Sequence, residues 1–290
     1  MTPSRATAST AAWHLVTGTA RGRSHLARDR PSEDAVAHRQ LAAIGGIVVA
    51  VADGHGHDRH FRSAAGSAFA VQVACQVADD LATESGRFRR RPTPAARVAE
   101  KLPSAVLGAW RAAVAKDVSA HPFREHEQAA LDVDEDGPEV PYGSTLLVAM
   151  ITTSWLVCAQ IGDGDLVAVK PDGGYCIPVP GDAALDGLRT TSLCQPSALD
   201  SFRVGTRDLA AGPLAALLLA TDGYGNSQAA DPWQPDWARD MAELAAERDR
   251  EWFAKQVPGW AELCASGEGS GDDTTIALLL ADRGAGTWTR

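Results

Sequence analysis

The sequence predicts an α+β protein with mostly antiparallel sheets and helices packed outside them. Three observations carry that expectation. Short apolar runs rich in β-branched residues recur along the chain. The helical stretches do not alternate regularly with them, which argues against a doubly wound parallel sheet. The composition, 45% apolar and 22% charged over 290 residues, is enough for one sizeable core.

Residues 1–12 are small and polar and read as a disordered leader. A single domain is expected over 13–282, with 283–290 as a tail. Trp13–Ala20 alternates weakly, as a strand does, and Gly46–Ala52 (GIVVAVA) reads as a buried strand. From His60 the period turns helical, with Ala65, Phe69, Val73, Val77 and Leu81 four apart on one face. Gly86–Pro94 is a break containing Arg and Pro, its Arg87–Arg91 cluster reading as solvated. A second helix follows, Pro103 suiting its start and Val106, Ala109 and Ala113 its apolar side. His121–Pro141 is acidic and irregular, a surface loop. Strands are expected at Ser144–Thr152, Trp155–Ile161 and Leu166–Lys170. A turn at Pro171-Asp172-Gly173-Gly174 then makes a hairpin with Tyr175–Val179. After the polar connection Pro180–Pro196, Ser201–Gly205 and Leu214–Thr221 read as strands. Asp236–Val257 reads as a helix and Thr274–Ala281 (TTIALLLA) as a closing buried strand.

Charge narrows the function. With 27 Lys+Arg against 37 Asp+Glu, the formal net charge is −10, which argues against a general binder of nucleic acid or of an anionic membrane. The balance suits cations or cationic partners. Five widely spaced cysteines without a Cys-x-x-Cys pair fit neither a disulfide framework nor a zinc ribbon, and point to a reducing compartment. The longest apolar stretches, Leu41–Ala52 and Leu214–Ala220, fall short of the roughly 20 residues a spanning helix needs. With no apolar segment at the N-terminus either, the expected location is cytoplasmic.

Asp-Gly pairs begin at Asp53, Asp136, Asp163, Asp172, Asp186 and Asp222, and singly each is an ordinary turn. Three stand out by context. Asp53, Asp163 and Asp222 each follow an apolar strand, while Asp272 lies just before the closing one. In antiparallel sheets one strand's end lies beside its neighbour's start, so the four carboxylates can meet on one rim. Crowded carboxylates repel unless cations share the site, and all-oxygen ligands favour Mg²⁺ or Mn²⁺. Two such ions form a clamp suited to phosphoryl chemistry.

Four groups of residues occur in order: Arg30-Pro31-Ser32-Glu33-Asp34; Asp53-Gly54-His55-Gly56; Gly143-Ser144-Thr145 with Ile161-Gly162-Asp163-Gly164; and Ala220-Thr221-Asp222-Gly223 with Gly271-Asp272-Asp273-Thr274-Thr275. Over residues 22–281 the chain thereby resembles the metal-dependent type 2C (PPM) serine/threonine phosphatases, in a divergent bacterial-type branch. The resemblance implies a four-layer α-β-β-α sandwich, two mostly antiparallel sheets flanked by helices, with two Mn²⁺ or Mg²⁺ ions at one end. It implies that Asp53 bridges both ions. Asp222 and Asp272 would complete one shell, Glu33 and the Gly54 carbonyl the other, and Asp163 with Asp222 would offer a third, weaker site. Asp34 and Asp273 would support these ligands from behind, although each acidic pair leaves open which member faces the ions. Water activated by the ions would attack phosphorus in line, with His55 as general acid. The implied partners are a phosphorylated protein substrate and a cognate Ser/Thr kinase.

One departure stands out. Members of the family commonly carry an Arg four residues before the acidic residue, where it binds phosphate; here that residue is Asp29. His25, Arg28 and Arg30 are the nearby candidates for the role. The missing Arg also supports a rival reading as a catalytically silent phosphatase-like module that binds a partner. A metal-dependent hydrolase of small phosphate esters is a second rival. The run Asp132-Val133-Asp134-Glu135-Asp136-Gly137 begins like an EF-hand loop, but Gly143 stands where a bidentate Glu is needed, so a solvated acidic loop is the better reading. Cys75, Cys158 and the tryptophans at 233, 237, 252 and 260 read as core.

Overall fold

A computed structural model describes residues 7–9, 13–86, 94–131, 137–182 and 190–282. The chain opens with β1 (Thr7–Ser9), β2 (Trp13–Ala20), the short helix α1 (Arg23–Ala27), β3 (Ala35–Leu41) and β4 (Gly46–Ala52). Three helices follow, α2 (Ser63–Gly86), α3 (Pro94–Ala120) and α4 (Glu125–Gln128). Then come β5 (Leu146–Ile151), β6 (Trp155–Ile161), β7 (Asp165–Val169), β8 (Tyr175–Cys176), β9 (Arg203–Asp208) and β10 (Ala216–Ala220). The chain closes with α5 (Asp222–Gly225), α6 (Gln234–Glu247), α7 (Arg250–Cys264) and β11 (Thr274–Ala281).

Two sheets form, in the orders β1-β2-β11-β10-β7-β8 and β3-β4-β5-β6-β9, and their strand pairs are antiparallel. Because side chains alternate along a strand, the apolar runs serve two cores at once. In β4, Val48, Ala50 and Ala52 face α2 and α3, while Ile47, Val49 and Val51 face the other sheet. In β11, Ala277 and Leu279 join that middle layer, and Ile276, Leu278 and Leu280 pack toward α6 and α7. The four-layer α-β-β-α sandwich is therefore what these uninterrupted apolar strands require, since both faces of each sheet are covered.

Several boundaries differ from expectation for identifiable reasons. Thr7–Ser9, inside the expected leader, pairs with β2 by edge addition. β3 has no counterpart in the sequence reading, because an edge strand half open to solvent (AVAHRQL) carries little apolar signal. Helix α2 buries Ala70, Ala74 and Ala78 with Val71 and Cys75, so small residues let it sit close to the sheet. Of the expected stripe only Leu81 belongs to that buried row; Ala65, Phe69, Val73 and Val77 flank it. Pro103 lies inside α3, buried beside Leu102, while Pro94 starts the helix, where a missing N–H leaves no bond unmade. The expected helix Asp236–Val257 is two, because Asp249 caps α7 by accepting the Trp252 N–H (2.8 Å). The Arg87–Arg91 cluster, most of the EF-hand-like run (132–136) and the tail at 283–290 lie outside the described residues. Cys75 and Cys158 are buried, as expected of core thiols. Among the described residues no helix is long and apolar enough to cross a membrane.

Candidate functional site

Strand register brings distant acids together. Ala52 at the end of β4 pairs with Ala35 at the start of β3, and Ile161 at the end of β6 with Leu146 at the start of β5. In the other sheet Ala220 ends β10 opposite Asp165, the first residue of β7, and Thr274 starts β11 opposite Ala20. All these junctions share one end of the sandwich, where a cavity of about 760 Å³ opens. Glu33, Asp53, Gly54, His55, Asp163, Asp222, Asp272 and His25 all line it.

The two acidic pairs separate by geometry. Glu33 lines the cavity, while half-buried Asp34 lies off its lining and accepts a hydrogen bond from Thr221 Oγ1 (2.8 Å). Asp272 lines the cavity, while Asp273 is 3% exposed and fully engaged. Its carboxylate accepts from the Gly22 N–H (2.6 Å), the Glu33 N–H (2.6 Å) and His25 Nδ1 (2.7 Å). Asp273 thus clamps the loop that presents Glu33, through charge-assisted bonds that are each stronger than neutral ones. Asp53 is placed by Thr145, whose Oγ1 accepts its N–H (3.0 Å) and whose own N–H bonds the Asp53 carbonyl (2.8 Å). Gly54 has to be glycine, because a Cβ there would lie 2.8 Å from the Glu33 carbonyl and 2.9 Å from the Ser63 backbone.

The electrostatics of this rim fit a cation site. Burial first, then neighbouring carboxylates, push Asp53 and Asp34 well above the usual carboxylate range. Asp222 is raised by burial first, then by the charges of Asp163 and Asp272. Burial also raises Glu33, against the pull of Arg30 and His25. Glu33 Oε2, Asp34 Oδ1 and Asp222 Oδ1 are buried with no hydrogen-bond partner. Such groups are costly unless a positive charge meets them, and an all-oxygen donor set suits a hard divalent ion. Among the described residues no three His, Cys, Asp or Glu groups already stand in coordinating geometry. Arg30 holds Glu33 Oε1 at 2.9 Å, and the charges of Asp53 and Asp222 repel each other. The ligand types fit such ions.

His55 donates its backbone N–H to the Gly143 carbonyl (3.1 Å), and its ring packs edge-on against His60 with centroids 4.9 Å apart. Gly143 leaves room for both rings, since a Cβ would lie 2.5 Å from His60 and 2.7 Å from His55. Burial, then His60 and Arg59, lower the His55 pKa to about 3, so its imidazole is neutral near pH 7. Of the three expected phosphate-binding cations, Arg28 is exposed and lies off the cavity lining. Arg30 is bound to Glu33 and to the Gly56 carbonyl (3.1 Å), and His25 is bound to Asp273.

Sequence reading missed several wall residues. Thr190, Ser192, Cys194, Gln195 and Pro196 form one side, in the stretch expected only as a polar connection. Thr191 Oγ1 accepts from the Gly162 N–H (2.9 Å), and Ser192 Oγ accepts from the Ser144 N–H (3.2 Å), tying this segment to both loops beneath. Arg203 donates to the Gly162 carbonyl beside Asp163. Arg59 and His60 also line the cavity. Their only signal was position, a few residues after the Asp53-Gly54-His55 turn.

The sequence profile of a family described as Protein phosphatase 2C matches residues 21–258. None of the curated proteins matches the chain in sequence. Among solved structures, the Stp1 serine/threonine phosphatase from Staphylococcus aureus superimposes with a TM-score of 0.59 at 14% identity, covering 95% of this chain and 96% of that one. A bacterial serine phosphatase does so with a TM-score of 0.59 at 14% identity, over 92% and 97% of the two chains. The catalytic domain of the PstP phosphatase, in complex with 2 manganese ions, gives a TM-score of 0.51 at 18% identity, over 93% and 98%. At these identities the likeness is one of fold.

Proposed function

This chain belongs to the protein phosphatase 2C family, and we propose that it is a divalent-cation-dependent phosphatase acting on phosphoserine and phosphothreonine in proteins. One observation carries the reading: Glu33, Asp53, Asp163, Asp222 and Asp272 converge from separate segments on one open cavity, with buried carboxylate oxygens of Glu33 and Asp222 that lack a hydrogen bond. Mg²⁺ or Mn²⁺ bound there would lower the pKa of water for attack on phosphorus and neutralise charge on the phosphate. Asp53 would hold both ions, Asp222 and Asp272 one, and Glu33 with the Gly54 carbonyl the other; Asp163 with Asp222 would serve a third. Thr145 fixes Asp53 through its backbone, and Asp273 fixes Glu33 through its N–H, so these two carboxylates would meet the ions from held positions. His55 is neutral in the free protein and takes up a proton when a phosphate dianion lies beside it, then gives it to the leaving seryl or threonyl oxygen. A Ser/Thr kinase would supply the phosphorylated substrate. Five free cysteines suit a reducing, cytoplasmic setting.

The test is release of inorganic phosphate from a phosphothreonine peptide, run with chelator and then with Mn²⁺ or Mg²⁺. Release should depend on the cation and fall about a thousand-fold in Asp53→Asn or Asp222→Asn, equivalent to ~4 kcal/mol of transition-state stabilisation. Wild-type turnover in either variant, or release without a cation, would overturn the assignment. Turnover of small phosphate esters with none of the peptide would move the substrate class instead.

A further inference from the structure

We propose that Arg59 is the guanidinium that receives the substrate's phosphate, and that His60 is the positioning residue that aims it. This rests on the phosphatase reading above. A cavity walled by carboxylates repels a phosphate dianion, so the wall needs a cation with donors to spare. Arg30 has both terminal nitrogens engaged, on Glu33 Oε1 (2.9 Å) and the Gly56 carbonyl (3.1 Å). His25 is committed to Asp273, and Arg28 lies off the cavity.

Arg59 lines the cavity. Its side chain spends only Nε, donated to His60 Nε2 (3.2 Å); among the described residues Nη1 and Nη2 have no hydrogen-bond or ion-pair partner. His60 is 4% exposed, and its Nδ1–H donates to the Val140 carbonyl, which leaves Nε2 as a fixed acceptor. The Arg59 backbone is equally constrained, in a one-turn 3-10 helix (Asp58–His60) capped by His57 Nδ1, which accepts the Arg59 N–H (3.3 Å). A guanidinium anchored through Nε presents its two terminal N–H groups as a fork, the shape that matches two phosphate oxygens. The cation missing at Asp29 is in this way replaced from a different segment, 30 residues later in the chain.

The experiment uses Mn²⁺-loaded full-length protein, with inorganic phosphate as the probe by calorimetry and as an inhibitor of phosphothreonine-peptide turnover. Arg59→Ala should weaken phosphate binding about 10- to 100-fold and lower kcat/KM by a similar factor, with Mn²⁺ affinity unchanged. Arg59→Lys should recover little of it, because an ammonium lacks the fork. Arg28→Ala should match wild type. His60→Gln should weaken phosphate binding in the wild-type background but not further in Arg59→Ala, a non-additivity that a merely structural role would not produce. Wild-type phosphate affinity and turnover in Arg59→Ala would overturn the inference and leave the phosphatase reading standing. Phosphate binding lost in Arg59→Ala from a wild type that turns nothing over would do the reverse. A wild type that neither binds phosphate nor releases it would overturn both.

Discussion

His55 illustrates how one residue's role depends on what surrounds it. Its imidazole packs edge-on against His60, and burial first, then His60 and Arg59, lower its pKa to about 3. A free-protein kcat/KM profile should therefore show no His55 limb between about pH 5.5 and about pH 8, although an unperturbed histidine titrates there. His55→Gln should lower kcat by about 10²- to 10⁴-fold while leaving the shape of that profile unchanged. The check is a pair of pH–rate curves; a limb near pH 6.5 in wild type that vanishes in the variant would show an ordinary, titrating histidine instead. Asp273 makes the complementary case. Asp273→Ala strips the acceptor from Gly22 N–H, Glu33 N–H and His25 Nδ1 together, and should cost about 3 kcal/mol in urea unfolding. It should also weaken Mn²⁺ binding, because Glu33 loses its anchor.

At the scale of elements, the strand ends bring carboxylates together more tightly than water alone would allow. Asp34, Asp53 and Asp222 all have raised pKa values, from burial first and mutual repulsion second. A group whose folded pKa exceeds its unfolded one contributes stability below the unfolded value, and that contribution is lost as pH rises through the folded value. The Tm of chelated protein should therefore fall as pH climbs from about 4 toward neutrality. Added Mn²⁺ should restore it, since a cation favours the ionised form. Asp53→Asn removes one of the repelling charges and should flatten the chelated curve. Scanning fluorimetry across pH, with and without Mn²⁺, reads all three; a chelated Tm that rises with pH would contradict the argument.

For the whole molecule, stability lies in three apolar layers rather than in the rim. Trp110, fully buried between α2, α3 and the second sheet, donates its Nε1–H to the Gly66 carbonyl (3.0 Å). Trp110→Ala should cost about 3–5 kcal/mol in urea unfolding, with Mn²⁺ affinity retained in the folded fraction. The residues by themselves pointed to mostly antiparallel sheets with helices outside, and the four-layer plan was implied by the family resemblance. Uninterrupted runs such as GIVVAVA and TTIALLLA read as strands covered on both faces, and Asp53, Asp163, Asp222 and Asp272 each stand at an end of such a run. Edge strand β3 escaped because half of it faces solvent, and the inner face of α2 because its buried residues are mostly alanines, which carry little apolar signal. Only the tertiary structure decided which acid of each pair meets the cavity and which cation remains available to a phosphate. Both depend on partners far apart in the chain. Gly22 and Asp273 are 251 residues apart yet hydrogen-bonded, and Arg30 rather than Arg59 is consumed by Glu33. Local pattern reports which face of an element is apolar, but a polar group's assignment is set by the donors and acceptors that strand register brings within 3 Å of it.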